Sequence, residues 1–180
     1  MTTLGQQQAL EMKQTCPVEQ DAVSFLAFYQ RQRPALTTAF RRMTDDTRYV
    51  DDAIQEALLI ARHKWPQVST YDKPEAWVAK VALRLMRRWQ HRDHQRLQHI
   101  GETQPPDPPD RHESHQHDDL YTAVAALPPR QRQVIVLHYL LDFTIEDVAE
   151  VLGRATGTVK AQLHTAREKL KASLGEGGPA

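Results

Sequence analysis

The sequence predicts an all-α protein of two small helical domains, and three observations carry that prediction. Apolar residues recur three and four apart, with no sustained alternation of the kind a half-buried strand needs. Glycine is scarce, at 7 of 180 residues, and no Asn-Gly or Asp-Gly hairpin turn occurs. Finally, the stretch GETQPPDPPDRHESHQHDD from residue 101 to 119 holds four prolines and no aliphatic or aromatic side chain. Such a segment cannot bury enough apolar surface to offset the entropy of ordering it. The expected layout is a disordered leader over 1–19, a helical domain over 20–97 and a flexible acidic Pro/His-rich linker over 98–117. A second helical domain follows over 118–174, then a disordered tail over 175–180.

The first domain reads as successive helices. Val23, Phe25, Leu26, Phe28 and Tyr29 mark an apolar face, and Leu36, Ala39, Phe40 and Met43 extend it beyond Pro34. Val50, Ile54, Ala57, Leu58 and Ala61 repeat the pattern and leave Asp51, Asp52, Gln55, Glu56 and Arg62 outside. Pro66 should end or kink that helix. Pro74 suits the first turn of the next one, which turns Trp77, Val78, Val81, Leu85 and Met86 inward.

The second domain carries the strongest pattern. Pro128 and Pro129 set the entry of a helix built on Val134, Leu137, Tyr139 and Leu141. Thr144 is a good N-cap, and Asp147 three residues on completes a capping-box-like pattern. Ile145, Val148, Ala149 and Leu152 bury the short helix, and Gly153 supplies the turn. Val159, Leu163, Ala166 and Leu170 then make one apolar stripe on a longer basic helix. This order is that of a helix-turn-helix, whose second helix enters the DNA major groove. On its outward side Lys160 and Arg167 suit phosphates, while Gln162 and His164 suit base edges.

Net charge is zero, so the chain is not a general polyanion binder, but the charge is unevenly placed. Residues 79–96 carry six cations against Asp93, residues 154–171 five against Glu168, and residues 101–120 six carboxylates against Arg111. Two basic helices thus flank an acidic link. No apolar run is long enough to span a membrane, and no secretory signal opens the chain. Cys16 is the sole cysteine and has no internal disulfide partner, which fits a reducing cytoplasm.

With these residues in place, the resemblance to a family is specific. LPPRQRQVIVLHYLLDFTIEDVAEVLGRATGTVKAQLHTAREKL resembles the fourth region of bacterial RNA polymerase sigma factors of the extracytoplasmic-function (ECF) group. VDDAIQEALLIARHKW resembles the second-region helix that docks on the polymerase clamp, and PEAWVAKVALRLMRRWQHRD the following helix, which melts and reads the −10 element. The resemblance implies a non-enzymatic promoter-recognition subunit. It would bind core RNA polymerase through Asp51, Asp52, Gln55, Glu56 and Leu59, and the −10 element through Trp77, Lys80, Arg84, Arg87, Arg88, Trp89 and Arg92. Trp89 would offer a stacking surface there. Thr156, Thr158, Lys160, Ala161, Gln162, His164 and Arg167 would meet the −35 duplex. An anti-sigma factor is a further partner the resemblance allows.

Departures from the family pattern bear on promoter choice. Leu83-Arg84 stands where Arg-Asn is frequent, so reading of a flipped −10 base differs. Ala155 replaces the usual serine N-cap, leaving Thr156 as the candidate cap, and Ala161, Gln162 and Thr165 replace small polar and basic residues. Fewer cations imply weaker phosphate anchoring or a distinct −35 preference.

Rival functions account for less of the chain. An autonomous helix-turn-helix regulator has no need of VDDAIQEA or of the basic aromatic helix. A metal-dependent enzyme could draw on His91, His94, His99, His112, His115 and His117. The chain has no helical HExxH, no plausible carboxylate pair and no glycine-rich phosphate loop. The sequence therefore predicts no cofactor and no metal.

Overall fold

A computed structural model describes residues 17–100 and 118–175, with side chains described over 24–96 and 119–175. All elements among these residues are helices: α1 Pro17–Met43, α2 Val50–His63, α3 Trp65–Val68, α4 Pro74–Ile100, α5 Asp118–Ala125, α6 Pro129–Leu140, α7 Ile145–Leu152 and α8 Thr156–Gly175. The leader through Cys16, most of the expected linker and the tail beyond Gly175 lie outside them. Two boundaries differ from the sequence reading: α1 opens at Pro17, inside the expected leader, and α4 continues to Ile100.

In the first half, α2 packs on α1 and along α4. Leu36, Phe40, Met43, Val50, Ile54 and Leu58 are fully buried there, at about 1.5–3 kcal/mol of transfer free energy for each large side chain. Pro34 lies inside α1 without breaking it, because apolar residues before and after it share one buried face. Leu26, expected on that face, is instead exposed. Pro66 sits in the first turn of the separate helix α3. There Trp65 packs on Phe25 and Phe28 and donates its indole N–H to Ser24 Oγ at 2.6 Å.

In the second half, α8 packs on α5, α6 and α7. The stripe of Val159, Leu163 and Ala166 is buried, with Leu170 at its edge. Phe143, in the α6–α7 turn, is also fully buried. Just before it Asp142 takes φ 53, a left-handed conformation that Asp tolerates better than most side chains.

The halves also touch: α1 meets α6 and α4 meets α7. Arg132, the single buried charged residue among those described, pairs with Asp45 at 2.5 Å, and the Arg42 guanidinium lies 3.9 Å from the centre of the Tyr121 ring.

Candidate nucleic-acid interface

The acidic face on α2 follows from helical geometry. Val50, Ala53, Ile54, Ala57, Leu58 and Ala61 are buried, so the intervening Asp51, Asp52, Gln55, Glu56 and Leu59 must lie outside. All five are exposed, Leu59 at 45%. Asp51 is partly engaged, since Arg41 reaches it at 2.5 Å.

The basic residues of α4 divide between two sides. Arg84, Arg87, Arg88 and Arg92 are exposed, while Trp77 and Lys80 are half-buried. Trp89 is half-buried: its ring meets Tyr49 edge-on with centroids 6.0 Å apart, and the Tyr49 hydroxyl donates to Asp93. That hydrogen bond, followed by burial, raises the Tyr49 pKa. Tyr49 thereby ties the start of α2 to the far part of α4. Leu83, at the position where the resembled family favours arginine, is buried.

Lys73, Lys80 and Arg87 recur every seven residues and share one side of α4 and its entry, the side turned to α7. Lys80 Nζ lies 3.1 Å from Glu150 Oε1. Lys73 Nζ lies 3.1 Å from the Asp147 carboxylate and donates to the Asp142 carbonyl at 2.8 Å. Lys73 is a contact that sequence reasoning missed, since nothing local marks a partner some seventy positions away.

The helix-turn-helix forms as its residues dictate. Thr144 Oγ1 accepts from the Asp147 N–H at 3.1 Å, and the Asp147 carboxylate accepts from the Thr144 N–H at 2.8 Å, a complete capping box. Gly153 closes α7 at φ 66, the left-handed conformation that glycine adopts without a Cβ penalty. Burial pushes the Asp147 pKa up, but the Thr144 hydrogen bonds and Lys73 together outweigh it and hold the carboxyl below its usual value.

On α8, Thr156, Thr158, Lys160, Ala161, His164 and Arg167 are exposed and Gln162 is half-buried. Ala155 occupies the cap position: its carbonyl accepts from the Thr158 and Val159 N–H groups, and its methyl side chain offers no acceptor to the first turn. Two of the polar side chains are already engaged. Arg167 Nε donates to the Tyr139 hydroxyl at 2.6 Å and its guanidinium lies over that ring. Tyr139, expected to support α6 from within, is 55% exposed. Gln162 Oε1 accepts from Arg154 Nη1 at 3.0 Å, and Arg154 Nη2 donates to Gln133 Oε1 at 2.7 Å. Burial first, then the neighbouring Arg87 and Arg130, lower the Arg154 pKa. The sequence counted Arg154 only as one more cation; its role as a bracket was not legible there.

Among the described residues no cluster of His, Cys, Asp and Glu is arranged to hold a metal ion, and no helix is long and apolar enough to cross a membrane. His112, His115 and His117 lie outside the described residues.

A capped helix-turn-helix behind a basic helix is an arrangement able to meet DNA, and comparison with known proteins shows what the chain is similar to. The family "Sigma-70, region 4" matches residues 117–170. The chain is 27% identical to the RNA polymerase sigma-E factor of Streptomyces avermitilis over 157 residues, covering 86% of this chain and 87% of the relative. It is 26% identical over 144 residues to the ECF RNA polymerase sigma factor EcfG of Rhodopseudomonas palustris, covering 78% and 80%. Among solved structures, the sigma factor RpoE of Bartonella quintana, in complex with the anti-sigma factor NepR, matches with a TM-score of 0.69 at 22% identity. That match covers 86% of this chain and 99% of the other. Residues 117–170 thus match the sigma-70 region 4 family, and along most of its length the chain is similar to sigma factors of the ECF group.

Proposed function

We propose that this chain is a sigma factor of the ECF group and docks on core RNA polymerase through Asp52, Gln55, Glu56 and Leu59 of α2, with Asp51 at the edge of the contact. In this reading α4 meets the melted −10 element and α8 enters the major groove of the −35 duplex. The observation that carries the reading is the coexistence in one chain of an exposed acidic stripe on α2, a basic α4 and a fully capped helix-turn-helix. A repressor that acts alone would need only the last.

On α4, Arg84, Arg87, Arg88 and Arg92 would follow the strand backbone electrostatically. Trp77 and Trp89, both half-buried on α4, are the aromatics that could meet an unstacked base, Trp89 with one edge already against Tyr49. On α8, Lys160 and Arg167 would neutralise phosphates, and Thr156, Thr158, Ala161, Gln162 and His164 would line the groove. The lobes over 20–97 and 118–174 act as separate DNA-binding units, joined by residues 98–117. The two promoter elements lie about 25 base pairs apart, roughly 85 Å at about 3.4 Å per pair. Since α4 and α7 touch here, the lobes must part before both elements are held. The cytoplasm, where polymerase works, is the proposed location, and an anti-sigma factor is proposed as a partner on the likeness to the Bartonella complex.

Reconstitution with core RNA polymerase tests the whole. The protein should co-elute with core and direct run-off transcripts from a distinct set of genomic promoter fragments. Thymines near the start site should become permanganate-reactive only when polymerase and sigma factor are both present. Failure to associate with core would return the chain to the autonomous-regulator reading.

A further inference from the structure

We propose that the chain, when free of polymerase, is autoinhibited by its own second lobe. Asp147 and Glu150 of α7 take up the ammonium groups of Lys73 and Lys80, so a single strand gains that side of α4 only when the lobes part. This rests on the proposed role of α4 at the −10 element.

Lys80 Nζ lies 3.1 Å from Glu150 Oε1, and Lys73 Nζ, at the entry of α4, lies 3.1 Å from Asp147 Oδ2. Lys73 also donates to the Asp142 carbonyl at 2.8 Å. An ammonium gives its hydrogens to a carboxylate or to a phosphate through the same kind of charge-assisted bond. The α7 carboxylates and a strand backbone therefore compete for the same two groups. Arg84, Arg88 and Arg92 stand exposed elsewhere on α4, so the closed chain keeps a residual affinity.

A second set of contacts, away from α4, holds the same closure. Arg132 of α6, with 8% of its side chain accessible, pairs with Asp45 at 2.5 Å, and Arg42 of α1 lies over the Tyr121 ring of α5. Closure is also opposed. It brings Arg87 of α4 towards Arg154, whose pKa is lowered by burial first and then by Arg87 and Arg130. Exposed ion pairs such as Lys80–Glu150 are individually weak and screened by salt. The closed state is thus one that a large partner can open.

The test uses the full chain without polymerase, by small-angle scattering and by anisotropy of a labelled single-stranded oligonucleotide of mixed sequence. Wild type should be compact at low salt. Asp45→Ala strands the buried Arg132 in the closed form and should enlarge the radius of gyration. It should also tighten strand binding about tenfold, the gain for a chain closed about nine-tenths of the time. Glu150→Gln frees Lys80 and should give a smaller gain, about threefold. Glu146→Gln makes the same change of charge at another exposed position of α7 and should alter neither reading. Circular dichroism checks that each variant folds.

Unchanged strand affinity in an expanded Asp45→Ala overturns the inference. So does a wild-type chain as extended as that variant, or an equal gain in Glu146→Gln, which would trace the effect to net charge. Failure of the −10 reading looks different: Arg84→Ala with Arg88→Ala would then leave permanganate reactivity of the holoenzyme unchanged.

Discussion

The outer face of α2 and the outer face of α8 are both exposed surfaces of short amphipathic helices, yet their side chains are prepared differently. On α2, Asp52, Gln55, Glu56 and Leu59 stand in solvent over a fully apolar inner face. On α8, Gln162 and Arg167 are held before any ligand arrives, by Arg154 and by Tyr139. A surface that meets a large charged partner needs charge of the right sign and an apolar anchor, and its side chains can settle on contact. A surface that distinguishes one base edge from another needs donors and acceptors fixed in advance. On the proposed roles, the two faces would meet these two requirements side by side.

The largest effect should come from reversing the α2 face. Asp52→Arg with Glu56→Arg places like charge against a complementary surface and should cost several kcal/mol of core-polymerase affinity, with helix content by circular dichroism unchanged. Wild-type affinity would move the docking surface off α2.

Next comes the cap that orients α8. Thr144→Ala should cost about 1–2 kcal/mol in a urea unfolding curve, since it removes the acceptor for the Asp147 N–H. The same box has a pH signature. Asp147 is held below its ordinary value of 3.8, so its contribution is present above that value and is lost as pH falls through it towards the folded value. Melting temperatures taken between about pH 5 and pH 2 should therefore fall more steeply for wild type than for Asp147→Asn. Equal slopes would deny the carboxylate this role.

Smaller again is the phosphate contribution of α8. Lys160→Ala should weaken binding to all −35 sequences alike and lower the salt slope by about one. Arg167→Ala should lose less, because Arg167 must leave Tyr139 to reach a phosphate; an equal loss would mean that the Tyr139 contact gives way readily.

The smallest effect should be a gain. Ala155→Ser supplies the missing N-cap acceptor to α8 and should add about 0.5–1 kcal/mol in the same urea assay, with an unchanged base profile. A changed profile would show that the start of α8 shifts with its cap.

What the sequence could convey was whatever is written locally. Thr144 and Asp147 are three apart, Gly153 follows the last turn of its helix, and Val159, Leu163 and Ala166 repeat at helical spacing. Each therefore declared its place before any packing was known. The α2 stripe was legible for the same reason. The exceptions are long-range pairings with no periodic trace: Trp65 on Phe25 and Phe28, Trp89 on Tyr49, Arg132 on Asp45 and Lys73 on Asp147. An aromatic among arginines suits a DNA surface, and only the third dimension brings Tyr49 beside Trp89. Pro34 sits inside α1, its local penalty giving way to packing on both sides of it.

Lys73 belongs to the first lobe, yet its ammonium bonds the Asp142 carbonyl and the Asp147 carboxylate of the second. Arg132 of the second lobe, with 8% of its side chain accessible, is matched by Asp45 of the first. Unfolding either lobe would strand these charges, most of all the buried Arg132. The lobes should consequently melt together, as one cooperative transition whose calorimetric and van't Hoff enthalpies agree. Asp45→Ala together with Lys73→Ala should split that transition in two, each half then unfolding at its own temperature.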